Sequence, residues 1–126
     1  MGNTTCVAHM CVLTMHNRML IYTGIGIRHI TISTVGLAPR IRKLAEENLQ
    51  VGLAVSLHQT TDAKRSALMP VNDRYNISDL LDACQYYIDK TNRRISFEWA
   101  LIRDQTDTEV TAHELGKPTL LVQASP

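Results

Sequence analysis

Apolar and polar positions fall into blocks of two different periods from Arg28 onward. Residues 30–34, Ile-Thr-Ile-Ser-Thr, are β-branched except for Ser33, which predicts a strand closed by Gly36. Pro39 fits the first turn of a helix, where its missing N–H costs nothing. Ile41, Leu44, Ala45 and Asn48 then recur at helical spacing, with Arg40, Arg42, Lys43, Glu46 and Glu47 on the other face, predicting a helix over 39–48. Residues 51–57 are nearly continuous apolar sequence and suit a parallel strand buried on both faces. The stretch 58–74 is polar, and Pro70 argues against a long helix through it.

Asn76 is a good N-cap with Asp79 at N3. Ile77, Leu80, Leu81, Cys84 and Ile88 form the apolar stripe of a second helix, which ends at Asn92-Arg93-Arg94. A third strand is predicted over 95–102. A short third helix follows over 107–115, stopped by Gly116-Lys117-Pro118. The order β-α-β-α-β-α implies right-handed crossovers and a parallel sheet, hence an α/β fold with about three parallel strands and three helices.

A chain of 126 residues allows one domain. Net charge is +1, so global electrostatics neither favours nor excludes nucleic acid. The sequence has no apolar run long enough for a membrane span. Its three cysteines, Cys6, Cys11 and Cys84, are odd in number and follow no secreted scaffold, so no disulfide is expected and the cytoplasm is the expected compartment. The first 28 residues lack Asp and Glu, which leaves a plastid or mitochondrial targeting segment as the alternative.

In parallel α/β architectures functional groups collect at the carboxyl ends of strands. That rule selects Ser33-Thr34-Val35-Gly36, Ser56-Leu57-His58 and Arg103-Asp104-Gln105-Thr106-Asp107. Small hydroxyls and main-chain amides at such ends suit the carboxylate, ribose or amine of a small cofactor. Ser33 and Thr34 equally suit the end of a strand and the cap of the next helix, and His58 suits a solvated loop. Glu98, inside an apolar strand, faces either solvent or a polar interior, because a buried carboxylate needs a partner. Arg93-Arg94 fits a solvated helix end better than an RNA contact.

Three segments taken in order carry a resemblance. They are residues 30–36 (Ile-Thr-Ile-Ser-Thr-Val-Gly), 53–58 (Leu-Ala-Val-Ser-Leu-His) and 65–72 (Arg-Ser-Ala-Leu-Met-Pro-Val-Asn). With Asn92-Arg93-Arg94-Ile95-Ser96-Phe97-Glu98-Trp99, they resemble the radical S-adenosylmethionine (SAM) methyltransferases that act on C2 of adenine in large-subunit rRNA and in tRNA. The resemblance spans roughly residues 24–116. It implies a partial radical SAM (βα) barrel, with these as its third to fifth strands, SAM as cofactor, and rRNA and tRNA as partners. It also implies that Ser33, Ser56, Leu57 and His58 line the SAM site.

Such enzymes hold a [4Fe–4S] cluster on CxxxCxxC and use a late cysteine as methyl carrier. Neither motif stands here: Cys6 and Cys11 have four residues between them, and Cys84 lies on a helix stripe. Thr106 stands where many relatives have Asn. Residues 1–23 and 117–126 do not resemble the family, and disorder is expected for 1–20 and 117–126. The expected role is therefore a segment of such an enzyme that contributes part of the SAM site and is inert alone. The alternative is a short SAM- or RNA-binding protein without catalysis. Zinc binding by Cys6, His9, Cys11 and His16 would need spacing more compressed than usual sites offer. The sheet face turned away from the helices is expected to be apolar in the second strand, and its exposure to make the chain prone to aggregate.

Overall fold

The computed structural model describes residues 26–123. After a 3-10 turn, Ile27–His29, come β1 (Thr31–Thr34), α1 (Ala38–Glu46), β2 (Gly52–Ser56), α2 (Asp62–Leu68) and a second 3-10 turn, Pro70–Asp73. They are followed by α3 (Ile77–Thr91), β3 (Ile95–Glu98) and α4 (Glu109–Gln123). The strands form one sheet in the order β1-β2-β3 with both pairings parallel, as the alternation of blocks predicts. The segment 1–23, including Cys6, His9, Cys11 and His16, lies outside the described residues.

Strand alternation divides the sheet into two unlike faces. Leu53, Val55 and Leu57 of β2 and its flank are fully buried, together with Ile41 and Leu44 of α1 and Leu80, Cys84 and Tyr87 of α3. Burying each such apolar side chain contributes roughly 1.5–3 kcal/mol. Several together rival the about 5–15 kcal/mol that holds a whole domain, so they decide which face the helices cover. The opposite face carries Thr31, Ser33, Gly52, Ala54, Ser56, Ser96 and Glu98. The expectation of an apolar second face is thereby corrected: β2 presents only Gly52, Ala54 and Ser56 there, and its large residues all point the other way.

Four other boundaries differ from the sequence reading. The polar stretch after β2 contains α2, because Thr61 caps it by accepting from the Lys64 N–H at 3.5 Å. Pro70 forces Met69 into extended backbone and so ends α2 early. Asn48 takes a left-handed conformation, φ 50°, after α1 has ended and so is not part of its stripe. Helix α4 runs to Gln123 through Gly116 and Pro118, so residues 117–123 are helical rather than disordered. Pro118 removes one N–H donor without interrupting the run. Strand β3 stops at Glu98 instead of reaching 102, because side chains take the main-chain groups that would extend the ladder. The Ala100 N–H donates to His58 Nδ1 at 3.0 Å, and Thr106 Oγ1 accepts from the Ile102 N–H at 2.7 Å.

Helix α3 has the expected ends. Asn76 Oδ1 accepts from the Asp79 N–H at 2.8 Å, and Asn92 closes the helix in the left-handed region. No helix of the described residues is long and apolar enough to cross a membrane.

Candidate functional site

Parallel pairing brings the carboxyl ends of all three strands to one edge. Ser33 stands opposite Ala54, and Ser56 opposite Glu98, so Ser33, Ser56 and Glu98 share the face turned away from the helices. Ser56 Oγ donates to Glu98 Oε2 at 3.1 Å, and Ser33 Oγ donates to Glu98 Oε1 at 3.4 Å. One carboxylate thus ties a side chain from each of the other two strands. A carboxylate only accepts, so both hydroxyl protons are directed at it and the serine lone pairs are left for another partner.

His58 sits just beyond, half-buried, with φ 60°. Its Nδ1 accepts from the Ala100 N–H, which places the neutral ring's proton on Nε2. Leu57 lies between these two residues but serves differently. Its side chain is in the core, its N–H donates to the Glu98 carbonyl at 3.1 Å, and its carbonyl accepts from Gln59 and Arg65. Of the four residues expected to line a SAM site, Ser33, Ser56 and His58 come together at the rim, and Leu57 faces away from it.

The rim is held by a buried arginine. Arg65, from α2, is fully buried. Its Nη2 donates to the carbonyls of Val35 at 2.9 Å and Ser56 at 3.1 Å; Nε donates to Leu57 at 3.2 Å, and Nη1 to Asn72 Oδ1 at 2.8 Å. Burial pushes its pKa down, opposed by the nearby Asp62 carboxylate. Asn72 Nδ2 in turn donates to Asp62 Oδ1 at 3.1 Å, and that same oxygen accepts from the Ile77 N–H at 2.8 Å, at the start of α3. Gly36 admits the guanidinium: φ is 101°, and a Cβ there would lie 2.9 Å from Arg65 Nη2 and 3.2 Å from the Leu80 methyls.

The third place selected from sequence, residues 103–107, is a loop beyond the shortened β3. Thr106 is buried and organises it, donating to the Ala100 carbonyl at 2.5 Å while the Trp99 indole N–H donates to the Thr106 carbonyl at 3.1 Å. Arg93 Nη2 donates to the Arg28 carbonyl at 2.9 Å, which makes it a structural contact at the opposite edge. Among the described residues no group of three or more His, Cys, Asp or Glu side chains is placed to hold a metal ion. Cys84 is buried in the core, and burial pushes its thiol up to about 12.

Sequence reasoning did not assign Glu98 or Arg65 to the site. For Glu98 the signal is partial: Ser96 and Glu98 share a parity that marks one polar face, but only the register between strands sets Glu98 beside Ser56. For Arg65 the hydropathy pattern gives no such signal, since a buried arginine in a polar stretch reads like a solvated one; its place with Asn72 in the segment 65–72 that carries the resemblance is the only pointer.

No family model matches the chain. It is 53% identical over 94 residues to the probable dual-specificity RNA methyltransferase RlmN of Clostridium perfringens, covering 75% of this chain and 27% of that protein. Identity to the protein of the same name from Clostridium tetani is 56% over 92 residues, covering 73% and 26%. For Mycolicibacterium smegmatis it is 56% over 94 residues, covering 75% and 25%. Among solved structures it is similar to a radical SAM methyltransferase from Sphaerobacter thermophilus. That match has a TM-score of 0.75 and 45% identity, over 81% of this chain and 31% of that one. The chain thus spans about a quarter of the length of the curated relatives it matches.

Proposed function

The chain belongs, through its match to an internal segment of those relatives, to the radical SAM family of dual-specificity RNA methyltransferases, and on that premise we propose that residues 31–100 contribute part of a SAM site. The observation that carries the reading is the bridge from Glu98 to Ser33 and Ser56 at the carboxyl edge of three parallel strands. Hydroxyl oxygens, a carboxylate and the Nε2–H of His58 are suited to the ribose and amino-acid groups of SAM. Ser33, Ser56 and His58 would hold it, and Leu57 would place its neighbours by fixing the main chain between them. When bound, SAM supplies the transferable carbon.

The reaction supported by the family is methylation of adenine C2 in rRNA and tRNA, in the cytoplasm. The described residues do not fit an iron–sulfur cluster, since their cysteine, Cys84, is in the core. The described residues therefore carry no step on a cluster, and the expectation that the chain alone does not methylate RNA rests on the missing CxxxCxxC motif. Because Cys84 is equally unsuited to carry a methyl group, SAM or RNA binding without catalysis is the second reading. Calorimetric titration of the chain with SAM tests the first proposal: binding that Ser33→Ala and Ser56→Ala each weaken supports it, and no heat of binding at millimolar SAM refutes it. RNA binding that persists in both variants without SAM binding would favour the second reading.

A further inference from the structure

Glu98 is neither the nearest neighbour in sequence nor a pairing partner of Ser33, yet it meets the hydroxyls of both rim serines. We infer that Glu98 is a positioning residue that makes the paired serines of the rim read hydrogen-bond-donating groups of the ligand and turn away its carboxylate. The inference rests on the SAM reading above. A serine hydroxyl has one proton and two lone pairs. With both protons held by the Glu98 carboxylate, Ser33 and Ser56 offer a ligand only acceptors. The carboxylate adds acceptor capacity of its own and a negative charge, and its side-chain partners among the described residues are the two serine hydroxyls.

In SAM the matching chemistry at the serine pair is a ribose hydroxyl pair or the α-ammonium; the α-carboxylate is disfavoured there by the Glu98 charge and because neither serine has a proton left to donate. Glu98 is exposed and its contacts are confined to the rim and the ladder, so its side chain can be altered without opening the core. A glutamine keeps the shape but exchanges one acceptor oxygen for an NH2 donor, which forces one serine to turn its lone pair inward.

The test is titration of the full chain and its Glu98→Gln variant with SAM, methionine, adenosine and 2′,3′-dideoxyadenosine, alongside thermal unfolding of both proteins. The expected result is SAM binding weakened about tenfold or more in Glu98→Gln, the scale of one hydrogen bond to a charged group, at an unchanged unfolding midpoint. Ser33→Ala and Ser56→Ala should add little further loss in the Glu98→Gln background, because the three side chains act as one unit. Loss of discrimination between adenosine and its dideoxy analogue assigns the ribose; weakened methionine binding assigns the ammonium. Equal SAM affinity in Glu98→Gln, or losses that simply add, overturns this inference and leaves the SAM site standing. No SAM binding by the unaltered chain overturns both.

Discussion

The guanidinium of Arg65 donates to the main-chain carbonyl of Val35 at 2.9 Å, joining α2 to the end of β1 across the sheet. The same Nη2 holds the Ser56 carbonyl, so a single side chain sets the spacing of the two strand ends that present Ser33 and Ser56. A planar fork with several fixed donors can do this; a single ammonium cannot.

Arg65→Lys and Arg65→Met are therefore both expected to destabilise the chain, by about 1–3 kcal/mol for each acceptor left unpaired, because each removes the fork that donates to the part-buried carbonyls of Val35 and Ser56, while Leu57 keeps the Gln59 N–H. Equilibrium urea unfolding measures this. Wild-type stability in Arg65→Lys would show that charge alone, and not the fork, holds the rim.

Gly36→Ala should also be costly. The residue sits at φ 101°, and the added methyl would press on Arg65 Nη2 and Leu80. Left-handed strain alone costs of order 1–3 kcal/mol, and the close approach adds to it. The unfolding midpoint should fall clearly, whereas Gly116→Ala, whose Cβ would meet nothing within 4 Å, should not lower it. Equal midpoints for the two variants would contradict the packing described around Arg65.

Stability should decline in alkali. Burial raises the Cys84 thiol from its ordinary 9.0 to about 12, and burial raises the Tyr87 hydroxyl too. Each is an acid whose folded pKa exceeds its unfolded one, so unfolding releases protons at high pH. The Cys84 contribution is complete below pH 9 and is lost as pH climbs toward 12, at about 1.4 kcal/mol for each unit above 9. Urea midpoints at pH 8 and pH 10 measure the slope. Cys84→Ala should flatten it in part, leaving the portion due to Tyr87; an unchanged slope would mean the thiol is not buried in the folded chain.

Much of this architecture is legible in the sequence because it depends on short-range patterns. The β-branched run at 30–34, the apolar run at 51–57 and the stripe of Ile77, Leu80 and Cys84 each name an element, and Asn76 marks where α3 starts. What escapes is set by partners distant in sequence. Strand β3 ends at Glu98 because His58 and Thr106 claim the main chain of Ala100 and Ile102, and no local propensity encodes that. Helix α2 is hidden because Arg65, its one buried residue, is a charged one. The helix-free face of β2 is not legible because a continuous apolar run conceals parity: Leu53, Val55 and Leu57 face the helices, and Gly52, Ala54 and Ser56 face away. At the rim, Ser33, Ser56 and His58 follow from strand ends and family resemblance, whereas Glu98 requires the register between strands.

The most direct test of a SAM site at this rim is two-dimensional 15N–1H NMR of the labelled chain during SAM titration. Saturable shifts should concentrate at Ser33, Val35, Ser56, His58 and Glu98, at the carboxyl ends of the strands, and should vanish in the Ser33→Ala/Ser56→Ala double variant. Absence of saturable shifts, or shifts centred on Thr31, Gly52 and Ile95 at the opposite edge of the sheet, would contradict the account.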